Sequence, residues 1–222
     1  MARIPGYRRQ ANAISARFRP STAATAKPAT NGPSGSDLTV YEKPNEGFAV
    51  GIPSAWTEID MDPQKMDAAL KAMEQQNPQI GAQISASVRP VAKLGMKFYA
   101  FDLQSAATGF MRNVNLLKNE TPTPLTLDQI VDQNVRQFES LPFVVKPVKH
   151  ERLKGAFGET ERVQYGLNIT APGVPPIKSD AIMYLFVKDK TVFILTVSVA
   201  QGEAAQYISL ADKIAQSFRF LN

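Results

Sequence analysis

The chain has no cysteine among its 222 residues. That excludes disulfides, thiolate zinc sites, iron–sulfur ligation and a cysteine nucleophile. A single histidine, His150, excludes centres built from several imidazoles. No run of about 18 apolar residues is present, so no segment reads as a membrane-spanning helix. Residues 1–36 lack any acidic side chain. The stretch also lacks an apolar core of the length that a secretory signal needs before its cleavage site. Walker loops and the G-x-G-x-x-G pattern are missing. Gly51-Ile52-Pro53-Ser54-Ala55 has alanine where a nucleophile elbow requires its second glycine.

What is present divides unevenly. Hydrophobic residues make up 44% and charged residues 20%, ordinary values for a globular domain. Residues 1–36 hold Arg3, Arg8, Arg9, Arg17, Arg19 and Lys27. Those six cations exceed the net charge of the whole chain, +5, and leave residues 37–222 at −1. The basic character therefore belongs to the N-terminal arm and argues for no basic groove on the body.

The arm has two parts. Up to Arg19 it interleaves arginines with Ile4, Tyr7, Ile14 and Phe18. Pro20–Ser36 is rich in Ser, Thr, Ala, Pro and Gly and reads as a linker. A 17-residue coil spans roughly 23 Å, more than the ~16 Å radius of gyration of a 186-residue body. An arm of that reach is suited to dock on a neighbouring subunit. In that reading Ile4, Tyr7, Ile14 and Phe18 are buried anchors, and Arg8, Arg9, Arg17 and Arg19 pair with carboxylates around them. The competing readings are a solvated tail and an organellar transit peptide, since the segment is Arg-rich and acid-free. Contact with nucleic acid or an anionic membrane is a further, weaker use of the same charges.

In residues 37–222, strand-like Asp37–Lys43 and Gly47–Ile52 flank the turn Pro44-Asn45-Glu46. Asp62-Pro63 opens a helix, as cap and first residue, with Met66, Ala69, Leu70 and Met73 on one face. Asn77-Pro78 stops it, and Gln79–Ser87 fits neither template. Strands are expected at Lys97–Leu103 and Arg112–Leu117. Thr126 and Gln129 form a capping box for a helix over Leu127–Ser140. Further strands are expected at Phe143–Lys149, Glu159–Thr170, Asp180–Lys188 and Thr191–Ala200. The last pair is joined tightly at Asp189, and the last strand is apolar enough to be covered on both faces. A third helix follows over Glu203–Ser217, and Phe218-Arg219-Phe220 ends the series.

The expected fold is α+β: a mostly antiparallel β-sheet with about three helices packed on it, preceded by an extended arm. Gly47–Asp60 (GFAVGIPSAWTEID), the helix after it, the long mid-sheet hairpin, and Ile214–Phe220 (IAQSFRF) together resemble the PsbP-like α/β/α sandwich superfamily of PsbP, DcrB and LpqN-like proteins. The resemblance covers residues 38–220. It implies a non-enzymatic binding or assembly domain with no common active site, so it assigns no catalytic, cofactor or metal residue.

The remaining candidates carry little chemistry. His150 sits in a charged stretch and is expected to be solvated. Glu159 and Glu161 share a strand face with Arg152 and Arg162 nearby, which reads as a solvated charged face. Asp60-Met61-Asp62 lacks a calcium loop's closing glutamate, with Lys71 or Met73 in its place. Trp56 reads as core. The stiff loop Ala171–Pro176 offers Pro172, Val174 and Pro175 as a weak partner contact.

These residues lead to a non-catalytic structural or accessory subunit needing no cofactor. It would dock to or decorate a larger protein assembly: a photosynthetic or respiratory complex, a phage-like or contractile particle, or a secretion apparatus. The expected location is cytoplasmic or particle-associated, with organellar import as the alternative. A DcrB-like chaperone holding a partner helix in a groove is the second reading. An enzyme using carboxylate or lysine chemistry is the remote one.

Overall fold

The computed structural model describes residues 37–76, 78, 81, 85, 88, 92, 95–171 and 174–221. Ten strands are described: β1 (Leu38–Lys43), β2 (Phe48–Pro53), β3 (Thr57–Ile59), β4 (Met96–Phe101), β5 (Asn113–Glu120), β6 (Val144–Gly155), β7 (Gly158–Ala171), β8 (Val174–Lys188), β9 (Thr191–Ala200) and β10 (Arg219–Phe220). Three α-helices join them: α1 (Pro63–Gln76), α2 (Leu127–Ser140) and α3 (Ala204–Gln216).

Local chemistry sets the boundaries. Asp62 Oδ1 accepts from the amides of Gln64 and Lys65 at 3.1 and 3.2 Å, capping α1 as its sequence predicts. Thr126 and Gln129 form the full capping box of α2. Gly47, at φ +80°, closes the turn between β1 and β2. Asp189, at φ +55°, turns β8 into β9.

The strands form two antiparallel sheets rather than one. A small sheet runs β1-β2-β10, and a seven-stranded sheet runs β3-β4-β5-β9-β8-β7-β6. Helices α1 and α2 cover one face of the large sheet, with Met66, Leu70, Ile130, Val131 and Phe138 packed over it. Helix α3 and the small sheet cover the other, with Phe48, Ile52, Ile214 and Phe218 in that core. Strand β9 is central and doubly covered: Val192 and Ile194 enter the first core, Phe193 and Leu195 the second.

Several boundaries differ from the sequence reading. Strand β3 is an unexpected short edge, and Leu103 begins a 3₁₀ turn capped by Asp102 instead of ending β4. Strand β6 extends to Gly155 and pairs with β7 through a two-residue turn. Strand β8 starts at Val174, six residues before the expected Asp180, because Asn168–Ala171 supplies it with partners beyond the end of β9. Between α1 and β4, the described residues 78, 81, 85, 88 and 92 are helical.

Gly81 there faces the backbone of α1: a Cβ would lie 2.4 Å from the Cα and N of Glu74. Gly81→Ala is therefore expected to force the two segments apart and cost about 1–3 kcal/mol in urea unfolding. No measurable change would show that the stretch does not press on α1.

Candidate functional site

The site residues expected from sequence fall in two places. Ile4, Tyr7, Arg8, Arg9, Ile14, Arg17, Phe18 and Arg19 lie outside the described residues, as does Pro172. Val174 and Pro175 open β8. The expected loop of residues 171–176 is thus mostly strand, the end of a two-stranded ribbon in which Ile169 pairs with Ile177. Val174 and Pro175 thus lie in a strand instead of the expected loop. Ladder pairing draws the chain into strand despite the prolines, as happens where only one neighbour needs hydrogen bonds.

On the body, charged side chains gather in three networks that join sheet to helix. The first is centred on Glu161 of β7, only 3% exposed. Its Oε1 lies 2.7 Å from His150 Nδ1, and its Oε2 accepts from Arg152 Nε at 2.7 Å. Arg152 also reaches Glu159 and, on α2, Asp128. Hydrogen bonding to Glu161 and then Asp128 holds the Arg152 guanidinium above its usual basicity. His150 is therefore half-exposed but oriented, and Glu161 is buried rather than solvated. Strand parity explains the correction: Glu161 shares its face with Val163 and Tyr165, beneath α2.

The second network lies on the opposite face. Arg162, 11% exposed, donates from Nη1 to both carboxylate oxygens of Asp212 on α3, at 2.8 and 2.7 Å, and from Nη2 to Glu151. The Tyr184 hydroxyl donates to Asp212 Oδ1 at 2.7 Å. Burial, then the Asp212 carboxylate, pushes the Tyr184 hydroxyl far above its usual range. Burial opposes the Arg162 charge, yet the bond to Asp212 leaves it raised.

In the third, Arg112 makes two 2.9 Å bonds to Glu203, the residue before α3, while its guanidinium lies 4.9 Å from the Tyr207 ring centre. Asp102 completes the set at 3.4 Å. The bonds to Glu203 raise the Arg112 basicity, against burial.

These arrangements tie α2 and α3 to the large sheet. Among the described residues, no group of three or more His, Asp or Glu side chains could hold a metal ion. No helix among them is long and apolar enough to cross a membrane. Trp56 is buried in the second core, as expected. Strand β6 leaves a long outer edge, on which Val145 is exposed and Lys146, Lys149 and Lys154 project. Lysines are a usual protection for such an edge. The second and third networks escaped the sequence because their partners lie far apart in the chain, 50 residues for Arg162–Asp212 and 91 for Arg112–Glu203.

No family model and no curated protein matches the sequence. Solved structures do match. The solution structure of cyanobacterial PsbP (CyanoP) from Synechocystis sp. PCC 6803 is 14% identical, covers 88% of this chain and 98% of that one, and has a TM-score of 0.50. LpqN, involved in cell envelope biogenesis of Mycobacterium tuberculosis, is 11% identical over 84% of this chain and 91% of its own, with a TM-score of 0.45. A Bacteroides thetaiotaomicron VPI-5482 protein is 10% identical over 82% and 48%, with a TM-score of 0.47. The likeness to CyanoP shows that the chain has the PsbP-like fold.

Proposed function

We propose that this PsbP-like chain is a non-catalytic accessory subunit that docks to a larger protein assembly, with residues 1–36 as its anchor. One observation carries the reading. The body commits Arg112, Arg152 and Arg162 to its own carboxylates, whereas the N-terminal stretch holds six cations and no acid. The stretch supplies no acid of its own to pair with them, and the interleaved Ile4, Tyr7, Ile14 and Phe18 suit an acidic protein surface with apolar pockets.

The test is a pair of double mutants, assayed for assembly at two salt concentrations. Tyr7→Ala with Phe18→Ala is expected to abolish incorporation, with a shallow salt dependence in the parent chain. Arg8→Gln with Arg9→Gln is expected to weaken it less. If the arginine pair alone matters and affinity falls steeply with salt, the partner is a polyanion. For duplex DNA the log–log slope would approach about −5 with all six cations engaged. If neither pair changes assembly, docking does not use the arm.

A further inference from the structure

All six methionines among the described residues lie on one side of the seven-stranded sheet. Met66, Met96, Met111 and Met183 are in the core beneath α1 and α2, and Met61 and Met73 pack against that core from its rim. The opposite core contains none and is built from aromatic and aliphatic side chains. With no cysteine in the chain, thioethers are its only sulfur. Access to them is graded. Met61 and Met73 are half-buried, Met66 is 8% exposed and Met183 is fully buried.

Three of the six are on α1 or just before it, and α1 buries the fewest side chains of the three helices α1–α3. Only Met66 and Leu70 of its fourteen residues are buried, whereas α2 buries four and α3 five. An exposed clasp, Lys65 Nζ to Asp60 Oδ2 at 3.3 Å, adds little to its attachment.

We propose that Met61 and Met73, near opposite ends of α1, are peroxide-modification sites whose oxidation loosens α1 from the sheet. A sulfur lone pair attacks one oxygen of hydrogen peroxide. The S–O bond forms as the O–O bond breaks, sulfur loses two electrons, and the departing hydroxide takes up a proton and leaves as water. The sulfoxide oxygen is a strong acceptor facing an apolar core, so it is better solvated with α1 lifted. Lifting α1 exposes Met66 next, and the reaction advances inward on this side only. The aromatic core keeps α3 and the small sheet in place.

The experiment treats the full chain with hydrogen peroxide and follows each methionine by peptide mass spectrometry and each segment by amide exchange. Met61 and Met73 are expected to oxidise at least about tenfold faster than Met183. Amides of α1 should then exchange about tenfold faster, with those of α3 unchanged. Met61→Leu with Met73→Leu, which conserves volume, should remove the response of α1. The proposal is overturned if α1 exchange is unchanged once both rim sulfoxides have formed. Oxidation of all six methionines at one rate overturns it too, as does loosening of α1 by peroxide in the double leucine variant.

Discussion

Replacing Phe218 by alanine is expected to cost about 3–5 kcal/mol, at the upper end of what a single side-chain truncation costs. Phe218 is fully buried directly after α3. Its ring stacks on Phe186, with centroids 4.1 Å apart and planes 17° apart, and meets Phe193 and Phe220 at 5.5 and 5.2 Å. Phe48 of the small sheet lies 6.3 Å away. One side chain thus joins β2, β8, β9 and β10, so its removal leaves a cavity bounded by elements that cannot close independently. Phe220, half-buried at the rim, should lose much less when truncated. Equilibrium urea unfolding of both variants checks this. A loss for Phe218→Ala no larger than that for Phe220→Ala would mean that the small sheet is not held through this cluster.

Asp212→Ala should also be damaging, at about 2–3 kcal/mol, the largest loss expected for a polar side chain of these networks. It strips the buried Tyr184 hydroxyl of its acceptor and leaves Arg162 with Glu151 alone. Glu151 is well exposed and cannot replace a carboxylate held by α3. Arg162 already has Nε buried with no hydrogen-bond partner, so the loss falls on a group with no spare contact. The double variant with Arg162→Met should recover part of the stability, because the charge left unpaired is then gone. Thermal melts of the single and double variants measure this coupling. Strict additivity would show that the pair does not tie α3 to β7.

Periodic segments were legible from sequence because their signals are local. The capping box at Thr126 and Gln129, the cap at Asp62 and the tight turn at Asp189 each lie within four residues, and each is found where expected. Strand β9 also read correctly, since ten almost wholly apolar residues leave no face for water. The division into two sheets was not legible. It depends on Arg219 and Phe220 pairing with Ala49 and Phe48, more than 150 residues away. Strand β3 failed for the opposite reason: three residues are too few to display alternation. The burial of Glu161 is not legible from its charge, only from its strand parity with Val163. The arm's candidate anchors were legible only as a pattern of residue types.

Whether a self-sufficient body docks through its arm is decided by comparing the full chain with one beginning at Asp37. Each would be measured for its melting transition and for incorporation into the native assembly. The two chains are expected to melt within about 4–5 °C of each other, since both described cores lie in residues 37–222, and the shorter chain is expected to be lost from the assembly. Undiminished incorporation of the chain beginning at Asp37 would contradict docking through the arm.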